Sequence, residues 1–124
     1  MPLQNWSERI ILVSLSDDPQ FSDDMNALAE QIQQRGGADV LLDFSEVNFL
    51  NSSNIAKLLK LRKTLSSVHA GKLILCGIRT SAWGIFLVTG LDKIFTFSDD
   101  VPTGLTMLQI GGGEQKPPAR PADA

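Results

Sequence analysis

The feature that most constrains the fold is an almost continuous apolar run in the middle of the chain, Ala38 to Phe44, with the sequence ADVLLDF. A strand with one wet face alternates apolar and polar residues, whereas a run that is apolar nearly throughout is typical of a strand buried on both faces. Such a sheet needs helices packed against it. The run therefore predicts a central strand of an α/β domain.

Strand and helix patterns alternate on either side of this run. Further strands are predicted at Arg9 to Leu15, Lys72 to Gly77 and Ile94 to Phe97. Helices are predicted from Asp23 to Arg35 (capped by Ser22 or Asp23), from about Ser52 to His69, from Thr80 to Thr89, and from Asp99 or Asp100 to Leu108. Helices that alternate with strands indicate right-handed crossovers and a mainly parallel sheet.

Length and composition bound the remaining possibilities. The 124 residues suffice for one domain, expected at residues 1–109, followed by a Gly- and Pro-rich tail at 110–124 that is predicted to be disordered. A net charge of −3 argues against a general nucleic-acid binder. No apolar run reaches the length of about 18 residues needed for membrane insertion, and the polar N-terminus does not resemble a signal peptide. These features lead us to expect a cytoplasmic protein.

Three local motifs are more specific. A strand ends in Asp43-Phe44-Ser45, a helix begins with Asn51-Ser52-Ser53-Asn54-Ile55, and a short apolar helix ends in the run Thr89 to Phe95, TGLDKIF. Together they resemble the STAS family, most closely the anti-sigma-factor antagonists, over roughly Arg9 to Leu108. The resemblance implies a small mixed or mainly parallel sheet of about four to five strands with about four helices.

The resemblance also implies a function. Members bind a bacterial anti-sigma factor that is also a serine kinase, a phosphatase reverses the modification, and the outcome regulates transcription without catalysis or a cofactor. Carried over by position, Ser52 is the phosphorylated residue, with Ser53 as the second choice. The implied protein is a monomer or a weak homodimer. The expected partner surface comprises Asp43, Ser45, Asn51, Ser52, Ser53, Asn54 and Lys57.

Two positions depart from the family pattern, which has Asp at position 51 and Gly at position 54. Asn51 caps a helix as well as Asp but lacks its charge. Asn54 adds a side chain that would clash with a closely approaching partner. A phosphate on Ser52 would be tolerated at a helix N-terminus while adding charge and bulk under a docked partner. The alternative is that Ser52 and Ser53 simply cap the helix.

Other interpretations stay open. Without phosphorylation, the chain would be a STAS scaffold subunit of a signalling assembly or a lipid-transport complex. Asp43, with the pair Asp17 and Asp18, weakly resembles a phosphoryl-accepting site, against a role as a loop-capping residue. An enzyme or metal site is not expected, because the single His69 and the single Cys76 provide neither a catalytic pair nor a zinc ligand set.

Two surface features have competing interpretations. The cationic side chains of the long helix form either a docking patch or a solvated face; they are Lys57, Lys60, Arg62 and Lys63. Trp83 in the short apolar helix is either part of the core or an exposed interface anchor. Val47, Phe49 and Leu50 are predicted to continue the core after the central strand.

Overall fold

A five-stranded sheet and four α-helices are observed in the computed structural model, which describes residues 3–66 and 71–110. In chain order the elements are β1 Leu3–Asn5, β2 Ile10–Ser16, α1 Gln20–Arg35, β3 Asp39–Glu46, α2 Ser52–Thr64, β4 Leu73–Cys76, α3 Thr80–Thr89, β5 Thr96–Ser98 and α4 Val101–Gln109. A short 3₁₀ turn, Leu91–Lys93, separates α3 from β5. The predicted α/β class with a mixed sheet is confirmed.

The strands follow one another across the sheet in the order β1-β2-β3-β4-β5. Strands β2 to β5 are parallel, and β1 runs antiparallel to β2 with Leu3 opposite Val13. Successive right-handed crossovers in one direction place α1, α2 and α3 on the same face of the sheet, and α4 packs on the other face. The sequence patterns do not predict β1, because three residues are too few to show an alternation.

The face covered by α1 to α3 holds the larger core. Phe44 of β3 packs edge-on against the rings of Phe21 and Phe86, with centroids 6.2 and 6.3 Å apart. Trp83 is buried and packs edge-on against Phe97 at 5.1 Å. Trp83 is therefore a core residue, and the alternative that it is an exposed interface anchor is wrong.

The core on the opposite face of the sheet is smaller and is covered by α4. Its buried apolar side chains are Ile10, Leu41, Ile74, Cys76 and Leu108. Burial, with a smaller contribution from the charge of Asp43, raises the pKa of the Cys76 thiol to about 12, so the thiol stays protonated at neutral pH. Cys76 thus packs as a small apolar residue.

Most element boundaries lie within one or two residues of the predicted ones, and the starts of α1 and β5 show the physical reasons for such shifts. Helix α1 begins at Gln20 rather than Asp23, because the Asp18 carboxylate accepts a hydrogen bond from the backbone N–H of Ser22 in its first turn. The expected caps, Ser22 and Asp23, therefore lie inside the helix. Strand β5 begins at Thr96 rather than Ile94, since the backbone N–H groups of Ile94 and Phe95 donate to the Leu91 carbonyl at the end of the 3₁₀ turn.

Two predicted segments extend past the described part of the chain. Helix α2 is observed to Thr64, and the predicted continuation to His69 includes residues 67–69, which the structure does not describe. The predicted tail, residues 110–124, also lies outside the described residues from position 111 onward.

Two helical glycines form a matched pair that tests the packing of α4. A Cβ on Gly104 would lie 2.6 Å from Leu41 Cδ1 and 2.9 Å from Ser98 Oγ, whereas a Cβ on Gly84 of α3 would meet no heavy atom within 4 Å. We expect Gly84→Ala to raise the free energy of unfolding by about 0.5–1 kcal/mol, since alanine lowers the entropy of the unfolded chain. We expect Gly104→Ala to lower it by about 1–3 kcal/mol through overpacking.

Urea unfolding followed by circular dichroism measures both variants. A stabilising Gly104→Ala would show that α4 has room to shift away from the sheet.

Candidate functional site

The candidate site lies where the carboxyl ends of β2 and β3 open into loops. The loop after β2 carries Asp17 and Asp18, and the loop after β3 leads into helix α2. Parallel strands end at the same edge of a sheet, so the two loops lie side by side. This edge carries the residues that resemble the family's phosphorylated helix start.

The first turn of α2 is closed by a pair of asparagines. Asn51 is the N-cap, and its Oδ1 accepts a hydrogen bond from the Asn54 backbone N–H at 2.8 Å. Asn54 Oδ1 accepts in turn from the Asn51 backbone N–H at 3.1 Å. This reciprocal arrangement is a capping box. The cap is therefore Asn51, and the interpretation of Ser52 and Ser53 as capping residues is wrong.

Ser52 and Ser53 occupy the first two helical positions and are exposed. Within residues 3–66 and 71–110, neither hydroxyl makes a hydrogen bond. Because Asn51 and Asn54 form the capping box between themselves, it needs neither hydroxyl, and both hydroxyls are left available to solvent.

The side chain of Asn54 is directed into the protein. Its exposed fraction is 1%, and its Nδ2 donates to Asp18 Oδ2 at 2.9 Å. The expectation that Asn54 projects toward a partner and obstructs a close approach is therefore wrong. Asn54 instead supports the surface from inside the protein, because its side chain joins the start of α2 to Asp18 in the loop after β2.

Asp18 accepts hydrogen bonds from Asn51 and Asn54, the two residues that depart from the family pattern. Asn51 Nδ2 donates to the same Oδ2 atom at 3.2 Å, and Ser22 donates to Oδ1 through its backbone N–H and its hydroxyl. Hydrogen bonds from Asn54 above all, and also from Ser22 and Asn51, lower the pKa of Asp18 to about 2. The carboxylate next to the helix start is thus supplied by Asp18 rather than by the N-cap residue.

Asp17 holds the loop that follows β3. Its Oδ1 accepts from the backbone N–H groups of Asn48 and Phe49 at 2.8 and 3.2 Å, and its Oδ2 accepts from Asn48 Nδ2 at 3.0 Å. These hydrogen bonds, led by the Asn48 side chain, lower the pKa of Asp17. Asp17 therefore holds the loop after β3, and Asp18 holds the start of α2. Within the described residues, no group of three or more His, Cys, Asp and Glu side chains could hold a metal ion.

Phe49 differs most from its sequence prediction. Val47 is buried and Leu50 packs partly against the core, as predicted, but 74% of Phe49 is exposed. The backbone around Phe49 is fixed by Asp17, which lies 32 positions earlier in the chain. No local sequence signal reveals a contact over that distance.

Asp43, Ser45 and Lys57 lie further from the helix start. Asp43 Oδ1 accepts from the Ser45 backbone N–H at 3.0 Å, a local bond to the backbone like that of the expected capping role but within β3 instead of a loop. Arg79 Nη1 donates to the Ser45 carbonyl at 3.2 Å. Lys57 is half-buried and lines a cavity of about 320 Å³ between α1 and α2. No hydrogen bond between described residues joins these three side chains to the Asn51 to Ser53 segment.

The cationic side chains of α2 lie mostly at the surface, as both a docking patch and a solvated face require. Lys60, Arg62 and Lys63 are exposed, and Lys57 is half-buried.

No described helix is long and apolar enough to cross a membrane.

These features define a class of protein: a small α/β domain that presents an exposed helix start at the carboxyl edge of its sheet. The STAS domain family profile matches residues 21–104. The chain therefore belongs to the STAS domain family. A search of the curated proteins finds no match.

Solved structures share the fold at low sequence identity. A STAS-domain anti-sigma-factor antagonist from Planctomyces limnophilus superposes with a TM-score of 0.74 and 17% identity, over 86% of this chain and 96% of that one. A variant of RsbS from Moorella thermoacetica gives 0.75 and 17%, over 90% and 96%. The anti-sigma factor antagonist SpoIIAA in its unphosphorylated form gives 0.66 and 17%, over 89% and 96%.

The lowered pKa of Asp18 predicts a pH dependence of stability. Because this pKa is lower in the folded protein than the usual value of 3.8, the carboxylate stabilises the fold above that value, and its contribution is lost as the pH falls toward about 2. We expect the free energy of unfolding of the wild type to fall more steeply than that of Asp18→Asn between about pH 5 and pH 2.

Urea unfolding at several pH values measures both slopes. Asp99→Asn, which removes an exposed carboxylate outside this network, controls for the loss of one charge. Equal slopes for the wild type and Asp18→Asn would contradict the assignment.

The contact between Asn51 and Asp18 predicts a coupling between the two positions. Asn51→Asp would place two carboxylates where a 3.2 Å hydrogen bond now forms. We expect this change to lower the free energy of unfolding by about 1 kcal/mol in the wild type and to cost little when Asp18 is also replaced with Asn. A double-mutant cycle at neutral pH measures the coupling, and strictly additive effects would show that Asp18 does not determine which residue fits at position 51.

Proposed function

We propose that this protein is a non-enzymatic binding module of the anti-sigma-factor-antagonist kind, controlled by phosphorylation of Ser52. Its partner is an anti-sigma factor with serine-kinase activity, and a phosphatase restores the binding form. The module acts in the cytoplasm as a monomer or weak homodimer and regulates transcription. Its partner surface surrounds the start of α2.

One observation carries the proposal: the capping box at the helix start forms without the serine hydroxyls. Asn51 and Asn54 close the first turn, and Ser52 is exposed beside them. A phosphate on Ser52 would lie at the positive end of the helix dipole, where backbone N–H groups favour an anion. Phosphorylation would therefore alter the surface without costing the cap or the fold.

Membership of the STAS family and the folds of the similar solved structures also support a binding module of the antagonist kind. SpoIIAA is an anti-sigma factor antagonist, and its likeness to this chain, at 17% identity, is a likeness of fold alone. The surface proposed for binding comprises exposed Ser52, Ser53 and Asn51, with Ser45, half-buried Asp43 and half-buried Lys57 at its margin. Asn54 supports this surface from inside.

A second candidate function is a scaffold subunit that is not phosphorylated, in a signalling assembly or a lipid-transport complex. The observation that favours it is the engagement of Asn51 and Asn54 with Asp18, which gives both departures from the family pattern a structural purpose. In that case the helix start has been built for stability, and binding is constitutive.

A phosphorylation assay separates the two candidates. We expect purified protein, incubated with ATP and the serine-kinase-type anti-sigma factors of its source, to gain one phosphate by intact mass. The phosphate should be absent from Ser52→Ala and present in Ser53→Ala, because Ser52 is the position carried over from the family. A stable partner in a pull-down assay, without phosphate from any of these kinases, would favour the scaffold.

The same partner provides a binding test. We expect Ser52→Asp to keep the circular dichroism spectrum of the wild type and to weaken binding by about tenfold or more, which corresponds to about 1.4 kcal/mol. Equal affinities of the wild type and Ser52→Asp would contradict control through this residue.

A further inference from the structure

Phe49 combines exposure with a fixed backbone. It is the most exposed aromatic side chain of residues 3–66 and 71–110, at 74%, while the remaining phenylalanines are buried. A large exposed aromatic residue on a rigid loop is a typical binding hot spot, since its burial removes much apolar area from water. The position of Phe49, three residues before Ser52, places it beside the proposed switch.

The Asp17 contacts reduce the cost of binding through this loop. Asp17 accepts hydrogen bonds from the backbone N–H groups of Asn48 and Phe49 and from the Asn48 side chain. Leu50 packs partly against the core on the other side of Phe49. A loop that is already ordered loses little conformational entropy when a partner docks, so the ring is presented in a preorganised position.

The charges around the ring indicate the chemistry of the partner. Asp17 and Asp18 follow β2, and Glu46 ends β3 with its Cα paired in register with Ser16, next to Asp17. The nearby cations are Arg79, whose charge acts on Asp17 while its guanidinium binds the Ser45 carbonyl, and Lys57 in the second turn of α2. The carboxylates outnumber the cations, so a complementary surface is basic.

We propose that Phe49 is the apolar anchor of the partner interface and that it enters an apolar pocket bordered by Lys or Arg side chains. The inference rests on the proposed function in taking the occupant of this surface to be the protein regulated through Ser52. It also specifies how the switch acts. A phosphate on Ser52 would interfere through its bulk and through the loss of its hydration against the apolar part of the pocket, and for binding to weaken these costs must exceed its attraction to the Lys or Arg border.

A site-specific photo-crosslinker tests the surface in the cell. p-Benzoylphenylalanine is introduced in living cells at position 49 or, as a control, at position 88, where Val88 of α3 is 81% exposed. We expect a discrete adduct from position 49 that is absent from position 88, with the crosslinked peptide of the partner lying beside Lys or Arg residues. No adduct from position 49, or the same adducts from both positions, would overturn the inference.

The crosslinked protein is then purified and its affinity is measured directly. We expect Phe49→Ala to weaken binding by about thirtyfold or more, Phe49→Leu to recover part of the loss, and Val88→Ala to bind as the wild type does. The affinity of the wild type should fall as the salt concentration rises. Because Phe49 is exposed, each variant should keep the wild-type circular dichroism spectrum.

The outcomes separate this inference from the proposed function. Equal affinities of the wild type and Phe49→Ala overturn the anchor, even where Ser52 is phosphorylated. A crosslinked protein with a basic-rimmed apolar pocket that is not an anti-sigma factor overturns the proposed function, while the anchor stands. An affinity that does not depend on salt overturns the basic border of the pocket.

Discussion

The burial of β3 on both faces is the constraint on which the rest of the structure depends. Its side chains alternate between a core under α1 to α3, where Phe44 meets the rings of Phe21 and Phe86, and a smaller core under α4, where Leu41 lies. With both faces covered, polar groups can reach solvent only at the strand ends. The loops at the carboxyl edge are therefore the natural place for a binding surface.

Asp17 and Asp18, which are consecutive in the chain, organise that edge because their carboxylates bind different segments. Asp17 fixes the loop that presents Phe49, and Asp18 binds Asn51 and Asn54 at the start of α2. The same arrangement explains why the helix start departs from the family pattern. A second carboxylate at position 51 would face Asp18, whereas an amide donates to it, so the negative charge of this region lies on the neighbouring loop.

The division of tasks at the helix start is what makes a surface switch physically reasonable. The capping groups are amides turned toward the backbone and toward Asp18, so the hydroxyls of Ser52 and Ser53 contribute nothing that the fold requires. A modification at an exposed, structurally unused hydroxyl changes recognition while the domain stays folded. In the proposed interface, a rigid apolar anchor at Phe49 would convert a local change in hydration at Ser52 into a change in affinity.

By itself the sequence determined the α/β class, the succession of elements from β2 to α4, and the start of α2 at Ser52, because apolar periodicity and capping preferences act over a few residues. The short strand β1, the inward turn of Asn54 and the exposure of Phe49 were decided only by tertiary structure. Each depends on a contact between distant segments: β1 on its pairing with β2, and the other two on Asp18 and Asp17. Local sequence patterns cannot predict such contacts, since the groups that bond to each other come together only when the sheet forms.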